Sequence, residues 1–160
     1  MKPRVTLQPV LILALAVLLG TPSLEWTTEA TNGQKIAITL KEHSFTPVNI
    51  TLQAGVPAEI TLTNRGTLKH EFWVYVTPKA KVSDWEEYMK AHTYFKEIGE
   101  VEAEFEGIGA VAGARMFEVE VQPGKEAELK FTPSRKGTFE MACHVEGHYE
   151  AGMKGTLIVK

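Results

Sequence analysis

Cys143, His148 and Met153 recur at intervals of five in the stretch Cys143-His-Val-Glu-Gly-His148-Tyr-Glu-Ala-Gly-Met153, near the C-terminal end of the chain. A thiolate, an imidazole and a thioether on one short loop suit copper that cycles between Cu(II) and Cu(I). Two histidines and a cysteine in a trigonal plane, with a long weak axial methionine, are the ligand set of copper electron-transfer sites. The loop supplies three of these four groups, so a second histidine must come from elsewhere.

Five histidines are present: His43, His70, His92, His144 and His148. His70 follows the turn Asn64-Arg-Gly-Thr-Leu-Lys69 and heads an apolar run, which puts it at a sheet end where loops converge. His144 adjoins the cysteine, and its side chain is expected to point away along the strand. His43 lies in a turn-like segment and reads as solvated, and His92 falls on a helical stripe and reads as packed.

A length of 160 residues suggests one domain, and 44% hydrophobic residues is ample for a core. A net charge of −3 without any basic run argues against nucleic-acid binding. The single cysteine rules out an internal disulfide, a four-cysteine zinc site, the common iron–sulfur clusters and a copper pair bridged by two cysteines.

Residues 1–24 read as an export signal: a basic Met1-Lys-Pro-Arg4, an apolar run from Val10 to Leu19, then small residues and a proline from Gly20 to Ser23. Ten helical residues reach about 15 Å, roughly half a bilayer core, so a spanning helix is not expected. An uncleaved anchor is the alternative, and with it a membrane attachment. Cleavage before Glu25 would remove Lys2 and Arg4 and take the formal charge from −3 to −5. The mature protein is expected in the periplasm or another extracytoplasmic space.

Residues 25–34 are a polar lead-in, and residues 35–160 form the expected domain. From Lys35 onward short period-two bursts are bounded by turn residues, at 35–40, 48–52, 58–63, 70–76, 116–121, 126–131, 138–142 and 155–159. Seven or eight strands at this spacing predict an all-β sandwich. The stretch from 77 to 114 breaks the rhythm and is expected to be a helical and loop insert. Ser83 or Asp84 can cap a helix with Glu86 and Glu87 in its first turn, and Trp85, Met89, His92 and Phe95 form an apolar stripe. Ile98 to Phe105 alternates weakly with acidic residues, and Gly107 to Gly113 reads as a glycine-rich loop. The glutamates from Glu97 to Glu106 read as a solvated face or as an acidic docking surface for a basic partner.

The run Leu62-Thr-Asn-Arg-Gly66…His70-Glu-Phe, followed by Gly137-Thr-Phe-Glu-Met-Ala-Cys143, His148, Met153 and Lys154-Gly-Thr-Leu-Ile-Val159, resembles the cupredoxins. Phe45-Thr-Pro-Val-Asn-Ile-Thr-Leu-Gln-Ala-Gly55 is similar to their N-terminal strands. Four residues in both gaps of the ligand loop look most like the auracyanin and rusticyanin groups. The resemblance implies a Greek-key β-sandwich and one type 1 copper ion per chain, with His70, Cys143, His148 and Met153 as its ligands. Many members carry Asn after the first histidine, where it ties the ligand loops together. This chain has Glu71 there, which leaves that tie unaccounted for.

The function expected is a one-electron carrier, not an enzyme. Multicopper oxidases need paired His-x-His motifs and a His-Cys-His triplet, whereas Ala142 precedes Cys143 and no His-x-His occurs. A nitrite reductase needs a second, all-histidine copper, for which too few histidines remain. The alternative from another class is a periplasmic copper chaperone or assembly factor. Electrons are expected to pass through an exposed edge of His148, ringed by Gly147, Ala151 and Gly152. The expected partners are redox proteins of an extracytoplasmic respiratory chain, docking transiently on a monomer.

Overall fold

A computed structural model describes residues 33–106, 109–112 and 118–160. The expected signal and nearly all of the lead-in lie outside the described residues. Among the described residues, eleven strands form two sheets that face each other. One sheet takes β1 (Gln34–Lys41), β2 (Ser44–Thr46), β4 (Ala58–Asn64), β6 (Val101–Phe105), β7 (Gly109–Ala112) and β9 (Glu126–Phe131), in the order β2-β1-β4-β9-β6-β7. The other takes β3 (Asn49–Leu52), β5 (His70–Tyr75), β8 (Glu118–Val121), β10 (Gly137–Ala142) and β11 (Lys154–Val159), in the order β3-β11-β10-β5-β8. The all-β sandwich stands as expected.

The period-two pattern explains the interior. Ile38, Leu40, Ile60, Leu62, Leu129 and Phe131 of the first sheet meet Leu52, Phe72, Val74, Phe139, Met141 and Leu157 of the second, all buried. Tyr94 and Phe95, in a short 3₁₀ turn over Tyr94–Glu97, are buried in the same core.

The 77–114 segment departs from the expectation of helix and loop alone. β6 and β7 extend the first sheet, with β6 paired antiparallel to β9 from Val101↔Phe131 to Phe105↔Ala127. Val101 and Ala103 are buried, while Glu104, between them and Phe105, faces outward and meets Lys130 at 3.4 Å. The outward acidic residues mask the alternation, because the inward set is short and includes a small alanine. Part of the glycine-rich run thus supplies β7, a strand on the sheet edge.

The helix forms where its signals place it. α1 (Trp85–His92) is capped by Asp84, whose side chain accepts from the Glu87 amide at 2.9 Å. It covers the outer face of the second sheet: Met89 is buried against Trp73, Tyr75 and Ala142, with Trp85, Tyr88 and Tyr149 around them. This explains why β5 is aromatic on both faces. Phe72 and Val74 point into the sandwich, and Trp73 and Tyr75 point to the helix. His92 is exposed rather than packed; its Nδ1 contacts the Tyr88 carbonyl at 2.8 Å and its ring stacks on Tyr88.

Candidate metal centre

His70 begins β5, and Cys143 follows the last residue of β10, so adjacent antiparallel strands deliver an imidazole and a thiol to one end of the sandwich. The loop from Cys143 to Met153 is folded by its own backbone. His148 N–H donates to Val145 O at 2.9 Å, Ala151 N–H to Gly147 O at 3.0 Å and Gly152 N–H to Tyr149 O at 3.0 Å. Gly147 and Gly152 take φ of 80° and 99°, a region where a Cβ is unfavourable, and they allow these consecutive turns. Met153 N–H then donates to His148 O at 2.9 Å, and Cys143 N–H to Met153 O at 3.1 Å, which closes the loop on itself.

The donor atoms of His70, Cys143 and His148 all lie within 4.8 Å of one another. Cys143 Sγ is 3.3 Å from His148 Nδ1 and 4.0 Å from His70 Nδ1. Both imidazoles therefore turn Nδ1 toward the sulfur. His70, Cys143 and Met153 are fully buried and His148 is 2% exposed. Met153 belongs to the same buried cluster as Cys143 and is tied to it through the backbone.

The protonation states suit a metal. Burial holds both His70 and His148 below the usual imidazole range, which keeps them neutral and able to donate a lone pair. Burial pushes the Cys143 thiol up, against the opposing pull of the Glu71 and Val145 backbone amides. Glu71 N–H donates to Sγ at 3.4 Å. A bound cation would tip that balance to the thiolate, which the amide is already placed to receive.

Sequence reasoning missed three neighbours of the site. Asn64, fully buried at the end of β4, donates from Nδ2 to Leu68 O and Val121 O, both at 2.8 Å, and its Oδ1 accepts from Gly66 N–H at 2.8 Å. It ties down the loop before His70, in a role expected of the residue at 71. Glu71 instead accepts from Trp73 Nε1 at 3.0 Å. Glu42 accepts from the amides of Thr67 and Leu68 on the same loop, and these bonds, with Thr67's first, hold its carboxyl at about 2. His43, expected to be solvated, is exposed but sets its ring edge-on to His148, with centroids 5.1 Å apart. With His148 only 2% exposed, the expected open edge of that histidine is absent: His43 stands beside it instead. His144 points to the opposite face, 2.9 Å from Tyr75 Oη and stacked on Tyr149.

A family model described as a cupredoxin-like domain matches residues 10–85, ending before the Cys143 loop. Two curated relatives share the name copper-resistant cuproprotein CopI. That of Rubrivivax gelatinosus is 31% identical over 72% of this chain and 59% of its own length. That of Pseudomonas aeruginosa is 29% identical over 79% of this chain and 76% of its own length. The chain therefore spans about three-fifths of the first relative. Among solved structures, a reduced auracyanin from Roseiflexus castenholzii superposes with a TM-score of 0.53 and 17% identity, over 80% of this chain and 98% of that one. That likeness concerns the fold alone. Two neutral imidazoles and a thiol around one buried point, with a buried thioether closing the loop, fit one copper ion.

Proposed function

We propose that the chain is an extracytoplasmic one-electron carrier with a mononuclear type 1 copper centre, whose ion His70, Cys143, His148 and Met153 would hold. The observation that carries this reading is the buried cluster itself, with Cys143 Sγ 3.3 Å and 4.0 Å from two inward-turned Nδ1 atoms. Bound copper supplies a one-electron couple and lowers the thiol pKa. The rest is done by the chain. Cys143 would release its proton to solvent as the metal binds, and the Glu71 amide would steady the charge left on sulfur. The self-bonded loop and the strand ends hold the donors at similar spacing in both redox states, so little rearrangement opposes electron transfer. Burial excludes water and leaves no open place for a substrate, which supports a carrier over an enzyme.

The test is the absorption spectrum of copper-loaded protein. An intense visible thiolate-to-copper band should appear, vanish on reduction and return on oxidation, at one copper per chain. Cys143→Ser should abolish it. A loaded wild-type protein with no such band would refute the reading. Export is part of the same proposal, and protein recovered from the periplasm should begin near Glu25.

A second reading, copper handling without electron transfer, is favoured by the name shared by the two CopI relatives. Rapid handover of Cu(I) to an acceptor, with no reversible couple, would favour it. A reversible couple with slow metal exchange favours the carrier.

A further inference from the structure

The hairpin between β1 and β2 reaches His148 through His43 and the loop before His70 through Glu42. Leu40 pairs with Phe45 and Lys41 with Ser44, which leaves Glu42 and His43 as its two tip residues. His43 takes φ of 63°, a left-handed conformation uncommon for a side-chain-bearing residue, and presents its ring to His148. Glu42 turns to the other side. Its Oε1 accepts from Leu68 N–H at 3.0 Å, from Thr67 Oγ1 at 3.1 Å and from Thr67 N–H.

Gly66 separates this carboxylate from His70. A Cβ on Gly66 would lie 2.6 Å from Glu42 Oε1 and 2.9 Å from His70 Nε2. The carboxylate oxygen and the imidazole nitrogen therefore both lie beside the same bare backbone carbon, with no hydrogen bond between them. Among the described residues, His70 Nε2 is buried with no hydrogen-bond partner. With Nδ1 directed at the sulfur, the proton belongs on Nε2, and a buried N–H without an acceptor is unfavourable. Ligating histidines commonly donate this second N–H to a carboxylate, which fixes the ring and raises its basicity.

We propose that Glu42 is the positioning residue of His70: across the gap left by Gly66, its carboxylate accepts the Nε2 proton when Nδ1 binds copper. The inference rests on His70 being a copper ligand. The same carboxylate pins the 66–68 loop through the Thr67 and Leu68 amides, so it sets both the height of the loop and the orientation of the ring it precedes. A negative acceptor on Nε2–H makes His70 a stronger donor and favours Cu(II) over Cu(I). Its removal should raise the reduction potential.

The experiment compares Glu42→Gln, Gly66→Ala and the double variant, each loaded with copper. Gln keeps an oxygen for the loop amides and removes the charge, while the Ala methyl keeps the charge and wedges the two groups apart. Each single variant should retain the visible band and shift the potential positive. A tenfold fall in the Cu(II)/Cu(I) affinity ratio would read as about 59 mV for one electron. The double variant should shift no further than the larger single shift. In diamagnetic Cu(I) protein, the His70 Nε2 proton should exchange slowly in the wild type and faster in Gly66→Ala. An unchanged potential in Glu42→Gln, shifts that add in the double variant, or equal exchange rates would overturn the proposal. Loss of the copper band in the wild type would instead defeat the reading of the centre itself, which separates the two failures.

Discussion

Asn64 makes three hydrogen bonds from a fully buried side chain, two to carbonyls on different elements and one from the amide of Gly66. Replacing it with alanine leaves the Leu68 and Val121 carbonyls and the Gly66 amide short of a partner. Each such buried group is unfavourable by about 1–3 kcal/mol. Asn64→Ala should therefore lower the stability of the metal-free protein by about 2–4 kcal/mol in urea unfolding. A loss under about 1 kcal/mol would mean the loop is held chiefly by Glu42. Met153 invites a different substitution. Met153→Leu keeps the buried volume and removes only the thioether, so fold and stability should change little. A weak axial donor stabilises Cu(II) more than Cu(I), so the potential should rise while the visible band persists. A variant with the wild-type potential would show that the thioether is packing and not a ligand.

At the scale of elements, the helix and the centre occupy opposite faces of β5. Met89 is 3% exposed and packs on Trp73 and Tyr75, on the outer face, while His70 and Phe72 face inward. Met89→Ala should destabilise the fold by about 2–5 kcal/mol through a cavity. The potential and visible spectrum should stay unchanged, since no inward side chain moves. A shifted potential would show that the helix presses on the copper loop through the strand. The helix was legible because its cap, acidic first turn and stripe are local signals, all between Asp84 and Phe95. The strands were legible where alternation was strong. β6 and β7 were not, because Glu102 and Glu104 face solvent and the inward residues are few and small. The Cys143–Met153 loop was readable as one unit because its spacing is continuous in sequence. Glu42, His43 and Asn64 come from other strands, and only the folded sheet brings them to the histidines. Sequence spacing carries no trace of such approaches, which is why His43 read as solvated and the edge of His148 as open.

At the scale of the whole molecule, charge is distributed unevenly around the centre. A groove beside the ligand loop has Trp73, Trp85, Met89, His144 and Tyr149 in its lining, along with Glu71, Glu86, Glu118, Glu146 and Glu150. Among the described residues its one lysine, Lys90, is bonded to Glu86 at 2.5 Å. Partial desolvation first, then the nearby Glu71 and Glu120 charges, raise the Glu118 carboxyl, although the residue is exposed. Val145 and Gly147, between Cys143 and His148, also line the groove, so a partner seated there would approach the centre closely. On the proposed reading as an electron carrier, such a surface would favour a positively charged redox partner over distances set by salt. The Debye length shrinks from about 30 Å at 0.01 M to about 8 Å at physiological ionic strength. The second-order rate of electron exchange with a basic haem protein such as cytochrome c should therefore fall by about tenfold across that range. Neutralising the exposed carboxylates with Glu118→Gln, Glu146→Gln and Glu150→Gln together should lower the low-salt rate and flatten the salt dependence, with the potential little changed. Stopped-flow traces at the two ionic strengths measure both effects. A rate that ignores salt, or a triple variant that matches the wild type, would exclude this groove and direct attention to the His43 side, where the ring stands against His148.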